Sequence, residues 1–411
     1  MNILIVNTLY YPQGGAPIYG LKLAELLKNQ GHNPVPFSMK SPENLQTPYN
    51  KYFVSHIDFQ QELKDRSLRN LWRVMKRTFH SVEAEGNINR LLEEVPIDIV
   101  HLNNFLHHLS LSIIRPIQER EIPIVWSLHD HSLVCPNTNL YNDRANAPCA
   151  RCTNIIKRAC VPVLRRCKKG SFAASAIAAA EAIYAYLKRP AKIPHCFIAP
   201  SEFLKSQHAA MGFDVSRFEV VPNFVDCAEF ENNPVPGEYA LYFGRLSPEK
   251  GLDFLISAFA KVKKYPLVIV GTGAAEDALK NHAGLLDAPV KFAGFQRGEP
   301  LKKLIYGARF GIMPSVCYEN APLAILESFA SGKPVLASAI GGIPELVTDD
   351  VGLLFSPGNA DAIADKVSQL WDNKKRIAEM GMNARKTAME KYSPEAHIRK
   401  VLDLYYRAKG M

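Results

Sequence analysis

The chain has 411 residues, which at about 150 residues per domain allows two or three domains. Hydrophobic residues make up 47% of it and charged residues 22%, a composition that excludes collagen-like, coiled-coil and wholly disordered proteins. Lys and Arg number 49 against 40 Asp and Glu, and the net charge of +9 indicates an anionic partner, such as nucleic acid, a membrane surface or a phosphorylated substrate.

The first half of the chain alternates strand and helix patterns. An apolar run at residues 3–6 predicts a buried strand, and residues 18–30 have the amphipathic pattern of a helix that ends at Gly31. Other short apolar runs predict the remaining strands of this half, at residues 35–37, 97–102, 124–128, 197–199 and 220–221.

The alternation starts again after a turn-rich stretch, residues 232–237, which we expect to be part of the linker between the domains. The elements predicted there are helices at 252–262 and 322–330 and strands at 239–243, 267–270, 290–293, 310–313 and 335–337. Because such alternation gives parallel, doubly wound sheets, we predict an α/β protein with two facing Rossmann-like domains and a deep cleft between them. The predicted domains are residues 1–225 and 226–390, followed by a C-terminal helical segment at 391–411.

The sequence shows no segment that would cross a membrane. The longest candidate, residues 172–187, is shorter than the ~20 apolar residues that a spanning helix needs, and Glu181 interrupts it. The first residues lack the basic region of a signal peptide. We therefore expect a cytoplasmic protein, either free or peripheral on the inner face of the membrane, with its eight cysteines reduced.

The excess positive charge lies in one segment, residues 135–194. The segment contains eleven basic residues and only two acidic ones, Asp143 and Glu181. It therefore carries a charge of +9, and the rest of the chain is neutral. The basic residues are Arg144, Arg151, Lys157, Arg158, Arg165, Arg166, Lys168, Lys169, Lys188, Arg189 and Lys192. A charge confined in this way indicates a site rather than a general aid to solubility.

Glycines and cations follow two predicted strands, at the edge where open α/β sheets bind ligands. Gly14-Gly15 opens the first helix, where backbone amides can approach a phosphate, although a plain tight turn explains the pair equally well. Arg245 and Lys250 could converge on one diphosphate; the alternative is a surface loop with two solvated cations. The fingerprints of nicotinamide enzymes and P-loop NTPases are absent.

Acids and a histidine occur at two other strand ends. Glu319 precedes the predicted helix at 322–330, and Glu327 lies on it, so both carboxylates could accept hydrogen bonds from hydroxyls of one ligand. Two ordinary acids near a helix end are the alternative. His129 follows the strand at 124–128 and is a candidate to contact a substrate hydroxyl or developing charge.

These motifs occur together in a characteristic order. The order is Gly14-Gly15, His129-Asp130, residues 221–226, Gly244-Arg245-Leu246 with Lys250-Gly251, Gly271-Thr272-Gly273, and the segment from Glu319 to Glu327. The set resembles the family 4 retaining glycosyltransferases, which have the GT-B fold of two facing Rossmann-like domains. The resemblance covers nearly the whole chain and is closest over residues 239–347.

The resemblance implies that the second domain holds a nucleotide-diphosphate sugar, with UDP or GDP as the nucleotide. Arg245 and Lys250 would neutralise the leaving diphosphate, and the backbone at Gly15 would approach it from the first domain. Glu319 would bind the hydroxyls of the donor sugar. His129 would contact the sugar near the reacting carbon.

Further positions follow from the same resemblance. Glu327 would hold the ribose hydroxyls, and residues 394–408 would form a helix that crosses back to the first domain. Transfer would retain the anomeric configuration without a catalytic metal or other cofactor. The backbone amides of Asn320, Ala321 and Leu323 would face the sugar and phosphate. The residues that would flank the base are Gly271, Gly273 and Phe295.

We therefore predict a retaining glycosyltransferase of the hexosyltransferase type. Its acceptor would be a glycan or lipid-linked molecule, as in cell-surface polysaccharide or glycolipid synthesis. A nucleotide-sugar epimerase or hydrolase on the same fold is one alternative, and the pattern of Glu319 and Glu327 disfavours it. A basic nucleic-acid-binding protein is the other; the basic segment has few aromatic residues for stacking, so we expect no nucleic-acid partner.

The basic segment also contains five of the eight cysteines. They are Cys135, Cys149, Cys152, Cys160 and Cys167. Four of them could hold a structural zinc ion or an iron–sulfur cluster; reduced thiols in a loop are the alternative. Residues 135–194 are also a candidate contact for an anionic membrane or a lipid-linked diphosphate-sugar acceptor, with a solvated basic loop as the alternative.

Overall fold

A computed structural model describes residues 1–59, 62 and 67–410 of the chain. The strands of its first half form a parallel six-stranded sheet in the order β2-β1-β3-β4-β7-β8, with β5 and β6 paired separately as an antiparallel hairpin. These strands are β1 (Asn2–Val6), β2 (Asn33–Phe37), β3 (Ile99–Leu102), β4 (Ile124–Ser127), β5 (Tyr141–Asn142), β6 (Ala147–Pro148), β7 (Cys196–Ala199) and β8 (Phe218–Val220).

The second half of the chain forms another parallel six-stranded sheet, in the order β11-β10-β9-β12-β13-β14. Its strands are β9 (Tyr239–Phe243), β10 (Leu267–Val270), β11 (Val290–Phe292), β12 (Ala308–Met313), β13 (Val335–Ser338) and β14 (Gly352–Phe355). The fold is thus the two-domain α/β architecture that the alternation predicted. Strand β14 was not predicted, because its short apolar run follows an acidic turn and no helical pattern separates it clearly from the preceding residues.

Helices cover both faces of the sheets. They are α1 (Gly15–Asn29), α2 (Leu68–Phe79), α3 (Val82–Glu94), α4 (Ile114–Gln118), α5 (Ile155–Arg165), α6 (Phe172–Leu187), α7 (Glu202–Ala210), α8 (Leu252–Lys261), α9 (Glu276–Leu285), α10 (Glu299–Tyr306), α11 (Leu323–Ala330), α12 (Ile343–Leu346), α13 (Ala360–Trp371), α14 (Lys374–Lys391) and α15 (Pro394–Ala408). Within the described residues, none of them combines the length and the apolar character that a bilayer crossing requires.

Burial on both faces explains why the strands are almost wholly apolar. In β1, Leu4 and Val6 pack into the core on one side of the sheet, while Ile3 and Ile5 pack into the core on the other side. Successive side chains of a strand point to opposite faces, so a sheet covered by helices on both sides needs apolar residues at every position.

The strand order of each sheet determines where a ligand can bind. In the second sheet, β10 and β11 lie on one side of β9 and β12 on the other, so the direction of winding changes between β9 and β12. In the first sheet the change lies between β1 and β3. Loops leave the sheet in opposite directions at such a point and open a crevice at the carboxyl ends of the strands.

The last helix, α15, packs on the first domain. Val401 and Leu404 share a buried cluster with Ile3 and other residues of that domain. The chain therefore passes between the domains twice, and the two passages are joined by a hydrogen bond from Val225 N to Tyr392 O (2.9 Å).

Buried polar contacts fix α15 in place. Tyr405 OH lies 2.5 Å from His101 Nδ1, and His397 Nε2 lies 3.0 Å from Tyr19 OH. His397 Nδ1 lies 2.8 Å from the carbonyl oxygen of Pro222, in the first passage between the domains. Burial lowers the pKa of His101 to about 3 and that of His397 to about 4, so these contacts are made by neutral imidazoles.

The turn-rich stretch at residues 232–237 is attached to the second domain. Arg309 Nε donates to Gly237 O (2.9 Å), and Lys333 Nζ donates to Val235 O (2.8 Å). Burial lowers the pKa of Lys333 to about 8. These contacts hold the stretch against the body of the domain, so the passage between the domains lies earlier, near Val225.

Close backbone approach explains the glycines that follow β10. A Cβ on Gly271 would lie 1.9 Å from Gly244 O, and a Cβ on Gly273 would lie 2.1 Å from Leu246 O. Gly271 also has φ +134°, a conformation that residues with a side chain rarely adopt. The loops after β9 and β10 can therefore pack together only because both residues are glycine.

We expect Gly271→Ala to lower the free energy of unfolding by roughly 1–3 kcal/mol, because the added methyl group collides with backbone that cannot move aside. Gly284→Ala is the matched control: this glycine lies on α9 with no atom within 4 Å of the added Cβ, and alanine should stabilise the helix by up to ~1 kcal/mol. Urea denaturation of the two variants checks this, and equal midpoints would contradict the steric explanation.

Candidate active site

A cleft of about 530 Å³ lies between the carboxyl ends of the two sheets, and both domains line it. On the first domain it is bounded by the start of α1 and the loop after β4, and on the second by the loops after β9 and β12. Eight of the predicted site residues line this cleft: Gly15, His129, Arg245, Lys250, Glu319, Asn320, Ala321 and Leu323.

Four predicted residues are not part of this lining. Gly271 and Gly273 lie where the loops after β9 and β10 pack together. Phe295 is 63% exposed in the loop after β11, and Glu327 lies further along α11 than the residues that line the cleft. The structure therefore brings together the residues predicted for the sugar and diphosphate, and leaves those predicted for the nucleoside outside the cleft lining.

The first turn of α1 forms one wall. Gly14 has φ +87°, and neither Gly14 nor Gly15 has an atom within 4 Å of where a Cβ would be. The first turn of this 15-residue helix contains no acidic side chain. Its N-terminal backbone amides therefore present partial positive charge to the cleft, as an anion requires.

A mostly buried ion pair, whose side chains are 18% and 14% exposed, forms the opposite wall. Lys250 Nζ lies 2.5 Å from Glu319 Oε1, which also accepts a hydrogen bond from Ser315 Oγ (2.6 Å). Burial alone would lower the pKa of Lys250, but the adjacent Glu319 carboxylate outweighs it and raises that pKa. Burial would raise the pKa of Glu319, and Lys250 reverses this too, so both groups are charged at neutral pH.

Gly251 allows this pair to form. Its φ is +65°, and a Cβ there would lie 2.3 Å from the carbonyl oxygen of Pro314. The loop after β9, which carries Lys250, therefore packs directly against the loop after β12, which carries Ser315 and Glu319. A hydrogen bond from Val316 N to Glu249 O (3.0 Å) joins the two loops.

Arg245 is the exposed cation of the cleft. Its side chain is 69% exposed, and Nη2 lies 3.2 Å from Glu249 Oε1. That carboxylate also accepts a hydrogen bond from Ser247 Oγ (2.7 Å). Arg245 thus keeps further N–H groups free to bind a ligand, and Arg offers five such donors in a planar fork.

His129 contacts both domains. Its Nε2 lies 3.1 Å from Asn103 Oδ1, and its ring packs edge-on against Tyr19. Its carbonyl oxygen accepts a hydrogen bond from Asn320 Nδ2 (2.9 Å) across the cleft. Burial, with a smaller contribution from His397, lowers the pKa of His129 to about 4. The imidazole is therefore neutral at pH 7 and offers hydrogen bonds rather than charge.

Other contacts hold the two domains together around the cleft. The Glu345 carboxylate accepts hydrogen bonds from the backbone N–H groups of Glu202 (2.9 Å) and Phe203 (2.7 Å), at the start of α7. Asn223 Nδ2 donates to Ala321 O (2.8 Å). Sequence patterns did not indicate Glu345, because a carboxylate that caps a helix of another domain has no local signature.

Glu327 lies near another contact between the domains. It is partly buried on α11, and the charged groups that influence it are Lys22 and Glu229, which form an ion pair across the domains (2.8 Å). Burial is the main cause that raises the pKa of Glu327 to about 7; Lys22 opposes the shift and Glu229 adds to it. Its charge therefore changes near neutral pH.

In the described residues, the cysteines of the basic segment are not arranged as a metal site. Among the residues that the structure describes, no three His, Cys, Asp or Glu side chains are placed to hold a metal ion. The metal interpretation is therefore not supported for the five predicted ligands, Cys135, Cys149, Cys152, Cys160 and Cys167. All five are free thiols.

The surroundings of these thiols differ. Cys160 is exposed on α5, whereas Cys135 and Cys152 lie in a buried apolar cluster with Leu140 and Met211. Burial raises the pKa of Cys135 to about 11 and that of Cys152 to about 12. Without a bound metal ion, thiols with such a high pKa stay protonated at neutral pH.

Two family models match the chain, one in each half. The model described as Glycosyltransferase Family 4 matches residues 13–229, and the model described as Glycosyl transferases group 1 matches residues 228–387. An uncharacterized glycosyltransferase of Methanocaldococcus jannaschii is 36% identical over 180 residues, which are 42% of this chain and 45% of that protein. This match thus spans less than half of that relative's length.

Other relatives are matched over more of their length. An uncharacterized 42.6 kDa protein from the cps region of Klebsiella pneumoniae is 24% identical over 395 residues, which are 92% of this chain and 96% of that protein. The lipopolysaccharide 1,2-N-acetylglucosaminetransferase of Salmonella typhimurium is 29% identical over 226 residues, 48% of this chain and 58% of that enzyme.

Solved structures share the whole fold. Anabaena Alr3699/HepE, solved with UDP and glucose, superposes with a TM-score of 0.70 at 17% identity over 98% of each chain. Sucrose-phosphate synthase of Thermosynechococcus elongatus gives a TM-score of 0.70 at 18% identity, over 99% of this chain and 98% of that one. The shared arrangement is the GT-B fold, and with the family model that matches more than half of its length, the chain belongs to glycosyltransferase family 4.

Proposed function

We propose that the protein is a retaining glycosyltransferase that moves a sugar from a UDP- or GDP-sugar to a glycan or lipid-linked acceptor. The observation that carries the proposal is the convergence of Arg245, Lys250 and the first turn of α1 on one cleft. Two cations and a helix N-terminus, contributed by both domains, form a site for a diphosphate. Solved structures of the same fold include complexes with UDP and with UDP-glucose.

Stabilisation of the leaving group supplies most of the proposed catalysis. As the bond between the sugar and the diphosphate breaks, negative charge grows on the terminal phosphate. Arg245 and Lys250 are fixed beside that position, so they stabilise this charge without reorganising during the reaction. These groups supply the charge that a metal ion would otherwise provide, and we therefore propose no metal requirement.

The remaining residues bind and orient the donor. Glu319 accepts hydrogen bonds from hydroxyls of the sugar, and Glu327 from those of the ribose. The neutral His129 contacts the sugar on the acceptor side of the cleft, close to the reacting carbon. We propose that the acceptor attacks from the face that the diphosphate leaves, so that the anomeric configuration is retained.

The first domain has a surface suited to an anionic membrane. Nine of the eleven basic residues in the segment 135–194 are exposed, and in the described part of the chain none of the eleven forms an ion pair. Large apolar side chains are exposed beside them on α5 and α6: Ile156, Leu164, Phe172, Tyr186 and Leu187. We propose that this face, residues 155–192, rests on anionic lipid and so brings the enzyme to a lipid-linked acceptor.

The test of function is the release of UDP or GDP from a set of nucleotide sugars, measured with and without acceptor glycans and glycolipids. Release that depends on the acceptor, together with a product of retained configuration, is the expected result. Release without acceptor would identify a hydrolase, and a change of the sugar without release would identify an epimerase.

We expect Arg245→Ala to lower turnover by about 100-fold or more. The substitution removes a hydrogen-bond donor whose interaction with the diphosphate is strongest in the transition state. The melting temperature should not change, since the side chain is largely exposed. Lys280→Ala is the matched control, an exposed cation of the same domain that also pairs with a glutamate four residues away. Equal turnover in both variants would contradict the assignment of the diphosphate site.

Binding of UDP or GDP should weaken as the pH falls through about 7. Glu327 becomes protonated in that range and can no longer accept both hydroxyl hydrogen bonds from the ribose. Calorimetric titrations between about pH 6 and pH 8 measure the effect. Glu327→Gln should remove this pH dependence and leave only that of the nucleotide's own phosphate, whereas an unchanged profile would exclude Glu327 from the ribose site.

The protein should sediment with vesicles of phosphatidylcholine that contain phosphatidylglycerol, and less so at high salt. Reversing two exposed charges of α5, Lys157→Glu with Arg165→Glu, should cost at least about 2 kcal/mol, roughly 30-fold in affinity. Lys374→Glu with Lys375→Glu, on the second domain, is the control and should bind normally. Vesicle binding that does not depend on the salt concentration or on the anionic lipid content would contradict the proposed membrane face.

A further inference from the structure

Residues 137–146 form a loop that leaves the first domain and reaches the second; we call it the cross-domain loop. It starts at Asn137, whose Nδ2 donates to Tyr141 O (2.7 Å) and also lies 3.1 Å from Cys167 O. This amide ties the loop to the end of α5. The pairing of β5 with β6 closes the loop at its other end.

The backbone of the loop is strained. Thr138 has φ 68° and Leu140 has φ 51°, and positive φ is an outlier for a β-branched residue such as threonine. Both conformations are held by hydrogen bonds: Thr138 O accepts from His131 N (2.7 Å), and Leu140 O accepts from Cys149 N (2.7 Å). Strain that the surrounding structure enforces in this way is typical of functional segments.

The loop places Tyr141 against the second domain. Although it belongs to a loop, Tyr141 is only 2% exposed, and it forms a buried cluster with Val316 and Cys317, against which Phe254 also packs. Leu140 belongs to a neighbouring cluster that contacts Tyr318. The cross-domain loop therefore covers the three residues that precede Glu319.

Those three residues connect the loop to the buried ion pair. Val316 N donates to Glu249 O (3.0 Å), next to Lys250, and Cys317 Sγ lies 4.0 Å from Glu319 Oε1. A buried ion pair is stable only when packing keeps water and wrong geometries away from both charges. Tyr141 provides part of that packing from the opposite domain.

We propose that Tyr141 is a positioning residue, which from the first domain holds residues 316–318 in place and so keeps Glu319 against Lys250. This inference rests on the proposed function for its effect on catalysis. It also gives the cysteine-containing segment, residues 135–194, a role other than metal binding. The cross-domain loop extends from this segment to the second-domain wall of the cleft.

Alkylation of Cys317 tests the packing without any substrate. Its burial raises its pKa to about 12, so N-ethylmaleimide should modify it slowly in the unaltered protein, while the exposed Cys160 reacts quickly in the same sample. Tyr141→Ala should speed the modification of Cys317 at least tenfold, measured by peptide mass spectrometry. Tyr141→Phe keeps the ring, loses only the hydrogen bond to Asn146, and should match the unaltered protein.

Modification of Cys135 and Cys152, buried within the first domain, reports general unfolding and should stay slow. If Tyr141→Ala exposes these thiols as well, Tyr141→Leu retains more apolar volume and gives the decisive comparison. Tyr406→Ala, at an exposed tyrosine of α15, is the matched control and should leave the modification of Cys317 slow. Modification of Cys317 at the unaltered rate in both the Ala and the Leu variants would overturn the proposal.

A second measurement separates this inference from the proposed function. With a donor and acceptor that support turnover, Tyr141→Ala should lower kcat at least tenfold and leave the KM for the acceptor unchanged, whereas Tyr141→Phe should retain kcat. Faster modification of Cys317 with normal kcat would show that Tyr141 packs there without positioning the site. Failure to find any turnover would contradict the proposed function. The alkylation result would still show whether Tyr141 packs against Cys317.

Discussion

The mostly buried ion pair between Lys250 and Glu319 organises the second-domain wall of the cleft. Either charge alone would be costly at this depth, and each shifts the pKa of the other so that both stay ionised. The contact exists because Gly251 has no side chain and lets the loops after β9 and β12 approach. An ammonium and a carboxylate are thereby fixed at the edge of the sheet where the strand order opens a crevice, before any ligand arrives.

The cleft is completed by contacts that cross between the domains. Asn320 donates to the backbone of His129, Glu345 caps α7, and Tyr141 packs before Glu319. Each hydrogen bond contributes only about 1 kcal/mol, so the domains are held together by several small contributions. The helix α15, by contrast, is anchored through buried apolar packing and remains with the first domain.

Residues 135–194 have a buried side and an exposed side. Inside, the thiols of Cys135 and Cys152 and the loop around Tyr141 are buried, and they pack toward the cleft. Outside, the basic and apolar side chains of α5 and α6 face solvent without ionic partners in the described part of the chain. The net positive charge of the protein thus lies on one outer face of the first domain, whereas the charges of Lys250 and Glu319 in the cleft are paired with each other.

The sequence by itself determined the alternation of strands and helices, the two sheets, and the strand-end residues Gly15, His129, Arg245, Lys250 and Glu319. Those inferences depend on local periodicity and on the rule that ligands meet the carboxyl ends of parallel strands. Only the tertiary structure decided that the clustered cysteines of the described residues are not placed around a metal, that Arg245 is exposed while Lys250 is mostly buried, and that Tyr141 crosses to the second domain. Side-chain burial and ion pairing depend on contacts between residues that are far apart in the chain, so no local sequence pattern indicates them.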